Sequence, residues 1–418
     1  METAISVGDV NICQHLVTKD IVVVTLQYRL GYLGFFYTGD EACTPNIGLW
    51  DQIEGLKWIN QNIAAFGGNP NNVTIFGQSA GGCSVDMLRL SPKANNLFHK
   101  CIPMAGNASA HWAFHNDNKT QCQWKADNLL GMKSESSHEM IRRLRSLPAN
   151  AFSISLFTQG NQNKDNPIEV GPVIDGDIFP FSINELRRMA PPMPVMTGVT
   201  KMEALLFLMD SKPERSTLHK FISLSVPEGV PDVEKTREEF TKEYIDLDSH
   251  PNDDLDVLRA TVNVYSDYFM NGPTLRLTQE TNAVQEKDAP IWLYTWDHYN
   301  PKSWGILRFF MQFLESSHCT ELSYIFGIGT IGSFNLNNDD KILLEMFSSC
   351  FTNFAKYGNP NGPSTDSTFL PMKWEPVTSE HPERHFNFSL NSEQRHVYFG
   401  GRADKVVKFK DMKKKSHI

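Results

Sequence analysis

The sequence predicts an α/β protein: a mostly parallel central sheet covered by helices. Three observations carry that expectation. Short β-branched or apolar runs lack polar alternation, the pattern of strands buried on both faces. Stretches with apolar residues at helical spacing separate them. Finally, Gly77-Gln78-Ser79-Ala80-Gly81-Gly82 follows the run Val73-Thr74-Ile75-Phe76 directly, as a tight strand-to-helix turn would.

The elements follow in order. Ile21-Val22-Val23-Val24-Thr25-Leu26 reads as a doubly buried strand, ended by Gly31 and Gly34. Leu49, Ile53, Leu56, Ile59 and Ile63 recur at helical spacing, and Gly67-Gly68-Asn69-Pro70 stops that helix. The Val73–Phe76 strand, a helix to about Leu90 and a strand near Cys101–Met104 come next. Gln121 to Leu147 reads as helices. Met193–Val199 and Ile291–Trp296 read as two more strands, with polar helical sequence between them. Asn338 to Tyr357 is a long amphipathic helix stopped by Gly358-Asn359-Pro360. With no repeat, low-complexity block or linker, residues 1–418 read as one domain, with 1–19 and 403–418 expected to be poorly ordered termini.

The turn at Ser79 is where chemistry is expected. Small residues two before and two after the serine permit a strained bend that lifts the hydroxyl clear of the backbone. The first helical amide, on Ala80, then points at the same spot, so a nucleophile and an anion-stabilising donor stand together. A serine also needs a histidine to take its proton and an acid to hold that histidine. In this architecture both follow the serine, acid first, each on a loop after a later strand. Glu203 lies four residues beyond Val199, where a strand opens into a loop; a solvated loop glutamate is the plainer alternative. Two histidines answer for the base: His318, in Ser316-Ser317-His318-Cys319-Thr320-Glu321, and His298, nearer the strand end. Spacing alone does not choose between them.

Other patterns weigh little. His111/His115 and His381/His385 have helical ligand spacing but lack the Glu of a metalloprotease motif. Gly327-x-Gly329-x-x-Gly332 has a nucleotide-loop pattern but follows the His318 segment. Trp292, Trp296, Phe309, Phe310 and Phe313 could wall an apolar pocket, or serve as core. A net charge of −9 argues against a nucleic-acid partner, and the lysine-rich tail reads as a solvated terminus. No apolar run is long enough to span a bilayer, and Met1–Leu16 lacks a leader pattern, so the chain as written reads as cytoplasmic. Seven scattered cysteines with no C-x-x-C pair suit free thiols. Sequons at Asn72, Asn107, Asn118 and Asn387 would instead suit a secreted or ER-luminal glycoprotein, given an upstream leader.

From about residue 20 to about 390 the chain resembles the type-B carboxylesterases, the family that includes the cholinesterases. The resemblance rests on Asn46-Ile47-Gly48-Leu49-Trp50-Asp51-Gln52, Trp58, Asn62-Ile63 and Phe66-Gly67-Gly68-Asn69-Pro70, continuing through Val73 to Gly82. It extends to Val22–Gly34, Gly198–Phe207, His318–Gly327 and Asn353–Asn361. It implies an α/β-hydrolase fold and hydrolysis of carboxylic esters through an acyl-enzyme. Ser79 would be the nucleophile, His318 the base, Glu203 the acid and the Ala80 amide an oxyanion donor, with no cofactor or metal. The substrates it implies are small, fairly apolar esters, because family pockets are aromatic-lined. Gln78, where cholinesterases usually carry Glu, favours a general carboxylesterase. Ala105 stands where a serine is common, and the usual cysteine pair of the helical stretch is absent, with Met132 at its first position. The family's glycine-rich oxyanion loop has no counterpart here: Gly67-Gly68, Gly81-Gly82 and Gly400-Gly401 belong to other motifs. That departure suggests an N-terminally truncated chain with a gap in its sheet, or a non-catalytic, cholinesterase-like interaction protein.

Overall fold

Six strands form one sheet whose spatial order follows the chain: β1 (Thr74–Gln78), β2 (Lys100–Met104), β3 (Val195–Thr200), β4 (Ile291–Trp296), β5 (His385–Phe388) and β6 (Glu393–Arg395). The first five are parallel and β6 pairs antiparallel to β5. The computed structural model describes residues 9–115, 118–133, 136–153, 168–250, 252–285, 289–329, 334–363 and 369–415.

Side chains alternate across each strand, and that alternation divides the core. Cys101, Val195, Val199, Ile291 and Leu293 face one apolar cluster, shared with Leu49, Ile53 and Leu56 of the Ile47–Asn62 helix and with Cys83 and Met87 of the Ala80–Leu90 helix. Ile102, Met104, Met196, Trp292, Tyr294 and Trp296 face a second, shared with Phe347, Phe351 and Phe354 of the Asn338–Tyr357 helix. A sheet buried on both faces needs strands without polar alternation, as the sequence pattern implied. A third cluster joins Met202–Leu208, the Arg215–Ser225 and Leu255–Ser266 helices, Phe313 and Val406.

The Asn338–Tyr357 helix shows how local sequence fixes an element. Asn337 and Asp340 form a reciprocal capping box at its start. Gly358, at φ 69°, ends it in the left-handed conformation that a side chain disfavours. Asp340 also accepts hydrogen bonds from Asn300 at 2.7 Å and Tyr324 at 2.7 Å, tying the helix start to the segments flanking the His318 loop.

Two expectations fail. Ile21–Leu26 is not a strand: no backbone hydrogen bond joins it to the sheet, and β1 is the edge strand on that side. Val22 and Val24 are exposed, while Ile21, Val23 and Leu26 pack only partly against the two clusters. Without a ladder neighbour, β-branched residues have no pleated surface to cover.

The termini also depart from expectation. Asp9–His15 is a helix, and Lys19 bonds to Glu345 and Ser349. Arg402–Lys415 is a helix whose Ala403 and Val406 are buried, and Arg276 holds it through Val407 O at 3.0 Å and Asp411 at 2.7 Å. An apolar stripe within the basic run, rather than its charge, decides its placement. Residues 1–8 and 416–418 lie outside the described residues. No described helix is long and apolar enough to cross a membrane.

Candidate active site

The site is built on the C-terminal ends of β1, β3 and β4. At β1 the chain turns from strand into the Ala80–Leu90 helix through Ser79, whose φ of 59° and ψ of −122° lie outside the ordinary regions for a side-chain-bearing residue. The turn fits only because its neighbours are glycine. A Cβ on Gly77 would strike the Gly81 backbone, one on Gly82 would lie 2.6 Å from Met104 O, and one on Gly106 would strike the Ser79 carbonyl. Ser79 N–H donates to Met104 O at 2.8 Å and Cys83 N–H to Ser79 O at 2.9 Å, locking the bend between β2 and the helix. Ala80 opens the helix, so its amide has no acceptor in a preceding turn.

Beyond β3 the chain turns back through Lys201 and Met202, which donate to Trp296 O and Ser316 O. Glu203, fully buried, begins a short helical turn. Its Oε1 accepts Thr200 N–H at 2.6 Å, and its Oε2 lies 2.6 Å from His318 Nδ1. Ser317 Oγ braces the same corner, accepting Leu206 N–H and donating to Glu203 O. The two loops, 115 residues apart in sequence, are thus stitched together on both sides of the carboxylate–imidazole pair.

Burial disfavours the His318 imidazolium. Against that, the Cys319 sulfur and the Glu203 carboxylate together hold its pKa well above the ordinary value. Burial in turn pushes the Cys319 thiol up, and the neighbouring His318 ring opposes that rise. With Nδ1 given to Glu203, Nε2 remains for proton exchange.

Ser79, Glu203 and His318 converge to different degrees. Glu203 and His318 meet directly. Ser79 reaches them through its neighbour: Gln78 Nε2 lies 3.3 Å from each ring nitrogen of His318. Among the described residues no hydrogen bond joins the Ser79 hydroxyl to the imidazole. His298, the alternative base, is committed elsewhere: its Nε2 lies 2.9 Å from Asp340 Oδ1, and its ring packs on Trp296 and Tyr324.

Several groups at the site escape sequence reasoning. Phe207 sets its ring 5.1 Å from that of His318. Cys319 Sγ donates to Gln78 Oε1 at 3.1 Å. Glu321 is fully buried with both carboxyl oxygens unpartnered, and burial plus the Glu203 charge push its pKa up to about 8. Cys319 and Glu321 flank the base in sequence, which was the available signal. Phe207 carried none beyond its closeness to Glu203. The suspected pocket aromatics are placed otherwise. Trp292 and Trp296 fill the core, Phe313 packs under Arg259, and Phe309 and Phe310 are exposed.

The chain matches the carboxylesterase family model over residues 2–406. It belongs to the carboxylesterase family. Its fold is therefore that family's α/β-hydrolase fold, and its kinship at family level is with esterase-like hydrolases. Relatives within the family differ in kind. The chain is 34% identical over 399 residues to Esterase cest-33 of Caenorhabditis elegans, covering 93% of this chain and 70% of the relative. It is 30% identical over 415 residues to human Neuroligin-2, covering 93% of this chain and 47% of the relative. Against mouse Neuroligin-3 it is 30% identical over 374 residues, covering 85% and 43%. The chain thus spans less than half the length of the neuroligins it matches. In this family member all seven cysteines are free thiols. Of the four sequons, Asn107, Asn118 and Asn387 are buried, and only Asn72 lies at the surface.

Proposed function

We propose that this carboxylesterase-family chain is a serine hydrolase that cleaves carboxylic esters through an acyl-enzyme. The observation that carries the reading is the buried Glu203–His318 pair at 2.6 Å, braced one residue from a strained serine turn. His318 Nε2 takes the Ser79 proton as Oγ attacks the ester carbonyl, and returns it to the leaving alcohol. Glu203 holds the ring through Nδ1 and stabilises the imidazolium. The Ala80 amide, at the head of its helix, donates to the oxyanion. Water, activated by the same imidazole, then releases the acid. A hydrogen bond between serine and base that is missing in the free protein can form as substrate closes the site. Small esters with an apolar acyl or alkyl group suit a site bordered by the Phe207 ring.

A second reading, a non-catalytic family member, draws on two observations: no glycine-rich oxyanion motif is recognisable, and the Ser79 hydroxyl is not bonded to His318. Incubation with a fluorescent organophosphonate separates the two. Labelling of Ser79 that disappears in Ser79→Ala and His318→Ala supports the hydrolase; a folded protein that takes up no label excludes it.

A further inference from the structure

Between β4 and His318 the chain makes a long excursion whose tip is apolar and faces water. Ser316 Oγ donates to Trp296 O at 2.7 Å and closes its neck, two residues before the base. The outgoing side is anchored. Asn300 donates to Asp340, Ser303 Oγ donates to Asn300 O at 2.8 Å, and Trp304 is fully buried. The returning side ends on Phe313, which packs in the same cluster as Leu205 and Leu208, beside the Glu203 turn. Between these anchors Ile306, Phe309 and Phe310 are 64%, 73% and 54% exposed, and no other large apolar side chain among the described residues is as exposed as Phe309. Apolar side chains gathered at the surface on a fixed base mark a contact surface.

Charge and area decide what this tip meets. The chain carries a net charge of −9, yet residues 298–314 contain Lys302 and Arg308 and no carboxylate. The acids at either end, Asp297 and Glu315, pair with Arg395 and Lys201. Lys302 and Arg308 are exposed and, among the described residues, have no ion-pair partner; the Arg308 guanidinium lies 4.7 Å from the centre of the Phe309 ring. A stable protein interface needs about 800 Å² from each partner. Three apolar side chains, at no more than about 150–250 Å² each, supply less. A lipid surface sets no such minimum, because single apolar side chains enter its headgroup boundary while neighbouring cations meet acidic lipid.

We propose that the tip at 306–310 docks on an anionic lipid surface: Ile306, Phe309 and Phe310 enter the headgroup boundary, and Lys302 and Arg308 meet acidic headgroups. This docking does not rest on the hydrolase reading. It brings the loops of Glu203 and His318 to that surface, because the neck of the excursion adjoins the base and its return packs beside the acid.

The test is co-sedimentation of the whole chain with vesicles of phosphatidylcholine mixed with phosphatidylserine, against vesicles of phosphatidylcholine alone. Binding to the mixed vesicles should exceed binding to the neutral ones at least about tenfold at low salt, and weaken as salt is added. Phe309→Ser combined with Phe310→Ser should lower binding to the mixed vesicles at least about tenfold. Lys302→Glu combined with Arg308→Glu should remove the preference for them. All four side chains are exposed, so circular dichroism should show each variant folded. Phe66→Ser, at a ring 63% exposed outside the excursion, should bind as the parent chain does. In Phe309→Trp the indole emission should shift to the blue when mixed vesicles are added. The proposal is overturned if the parent chain sediments with neither vesicle, if the double serine variant binds as tightly as the parent, or if Phe66→Ser weakens binding equally. It is overturned also if the parent chain self-associates in sedimentation velocity and the double serine variant does not, since the tip is then a protein contact. None of these readouts needs Ser79 to react, so they stand apart from the organophosphonate test of the hydrolase reading.

Discussion

Two apolar, valine-bearing runs of six residues meet opposite fates in this molecule. Val195–Thr200 lies between β2 and β4, and all six residues are buried. Ile21–Leu26 is richer in β-branched residues, yet it pairs with nothing and leaves Val22 44% and Val24 38% exposed. A shallow surface hollow lined by Gln27, Tyr28, Arg29, Asp51 and Glu54 lies just beyond it. A strand is thus made by its neighbours as much as by its own propensity. The difference has a functional side: the Glu203 and His318 loops follow β3 and β4, each flanked on both sides, while the Ser79 turn leaves the edge strand β1 and is held by Met104 of β2.

Substitutions can widen or close that contrast. The largest effect is expected just past the end of β3: Glu203→Gln keeps the shape but loses the charge that orients His318. Ester turnover should fall by about 10³- to 10⁴-fold with the fold intact, measured by steady-state kinetics alongside circular dichroism. An unchanged turnover would remove Glu203 from the site.

Within β3 itself, a Cβ on Gly198 would run into the Tyr294 ring on β4. Gly198→Ala should cost about 1–3 kcal/mol in urea unfolding, because a ring packed between strands cannot step aside.

A pH effect on stability is expected at Glu321. Its carboxyl ionises near 4.5 when unfolded but only at about 8 when folded, so between those values the native state holds a proton that the unfolded state has lost. Stability from this group is therefore complete below the unfolded value and declines as pH rises toward 8, by about 1.4 kcal/mol per pH unit at most. Glu321→Gln should flatten that part of the stability–pH curve; an unchanged slope would show that the group does not titrate there.

The smallest effect belongs to the unpaired run. Val24→Ala should change stability by less than about 0.5 kcal/mol, as at an ordinary surface position. A loss of 2 kcal/mol would mean that Val24 is buried in solution and would end the contrast drawn here.

The activity profile tests the electrostatics separately. His318 must be neutral to accept a proton, and its pKa is raised, so the acid limb of ester hydrolysis should lie above pH 6.5.

Much of the architecture was legible because it depends on local signals. The helix beginning at Asn338 has its capping box and its terminating Gly358 written in the chain, and the structure shows both. The strands at 74–78, 100–104, 195–200 and 291–296 are mainly apolar and lack polar alternation, while β5 and β6, four and three residues long, carry too little pattern to find. The serine turn is legible for a steric reason at Gly77; at Gly81, the small residue expected two after the serine, a Cβ would meet nothing, and the crowding falls instead on Gly82. Choosing between His298 and His318 was not a local matter. Both follow the strand at 291–296, and what separates them is which carboxylate stands within hydrogen-bonding distance, Asp340 or Glu203.

By itself, then, the sequence determined the four strands at 74–78, 100–104, 195–200 and 291–296, the bend at Ser79 and the residue types able to do acyl chemistry, since these depend on sterics and periodicity within a few residues. Tertiary structure alone decided that Ile21–Leu26 stays outside the sheet, that the tail helix docks through Ala403 and Val406, and that Cys319 and Glu321 share the imidazole's surroundings. Pairing, burial and electrostatic coupling join residues more than a hundred positions apart, and no local pattern encodes which distant partner will be there.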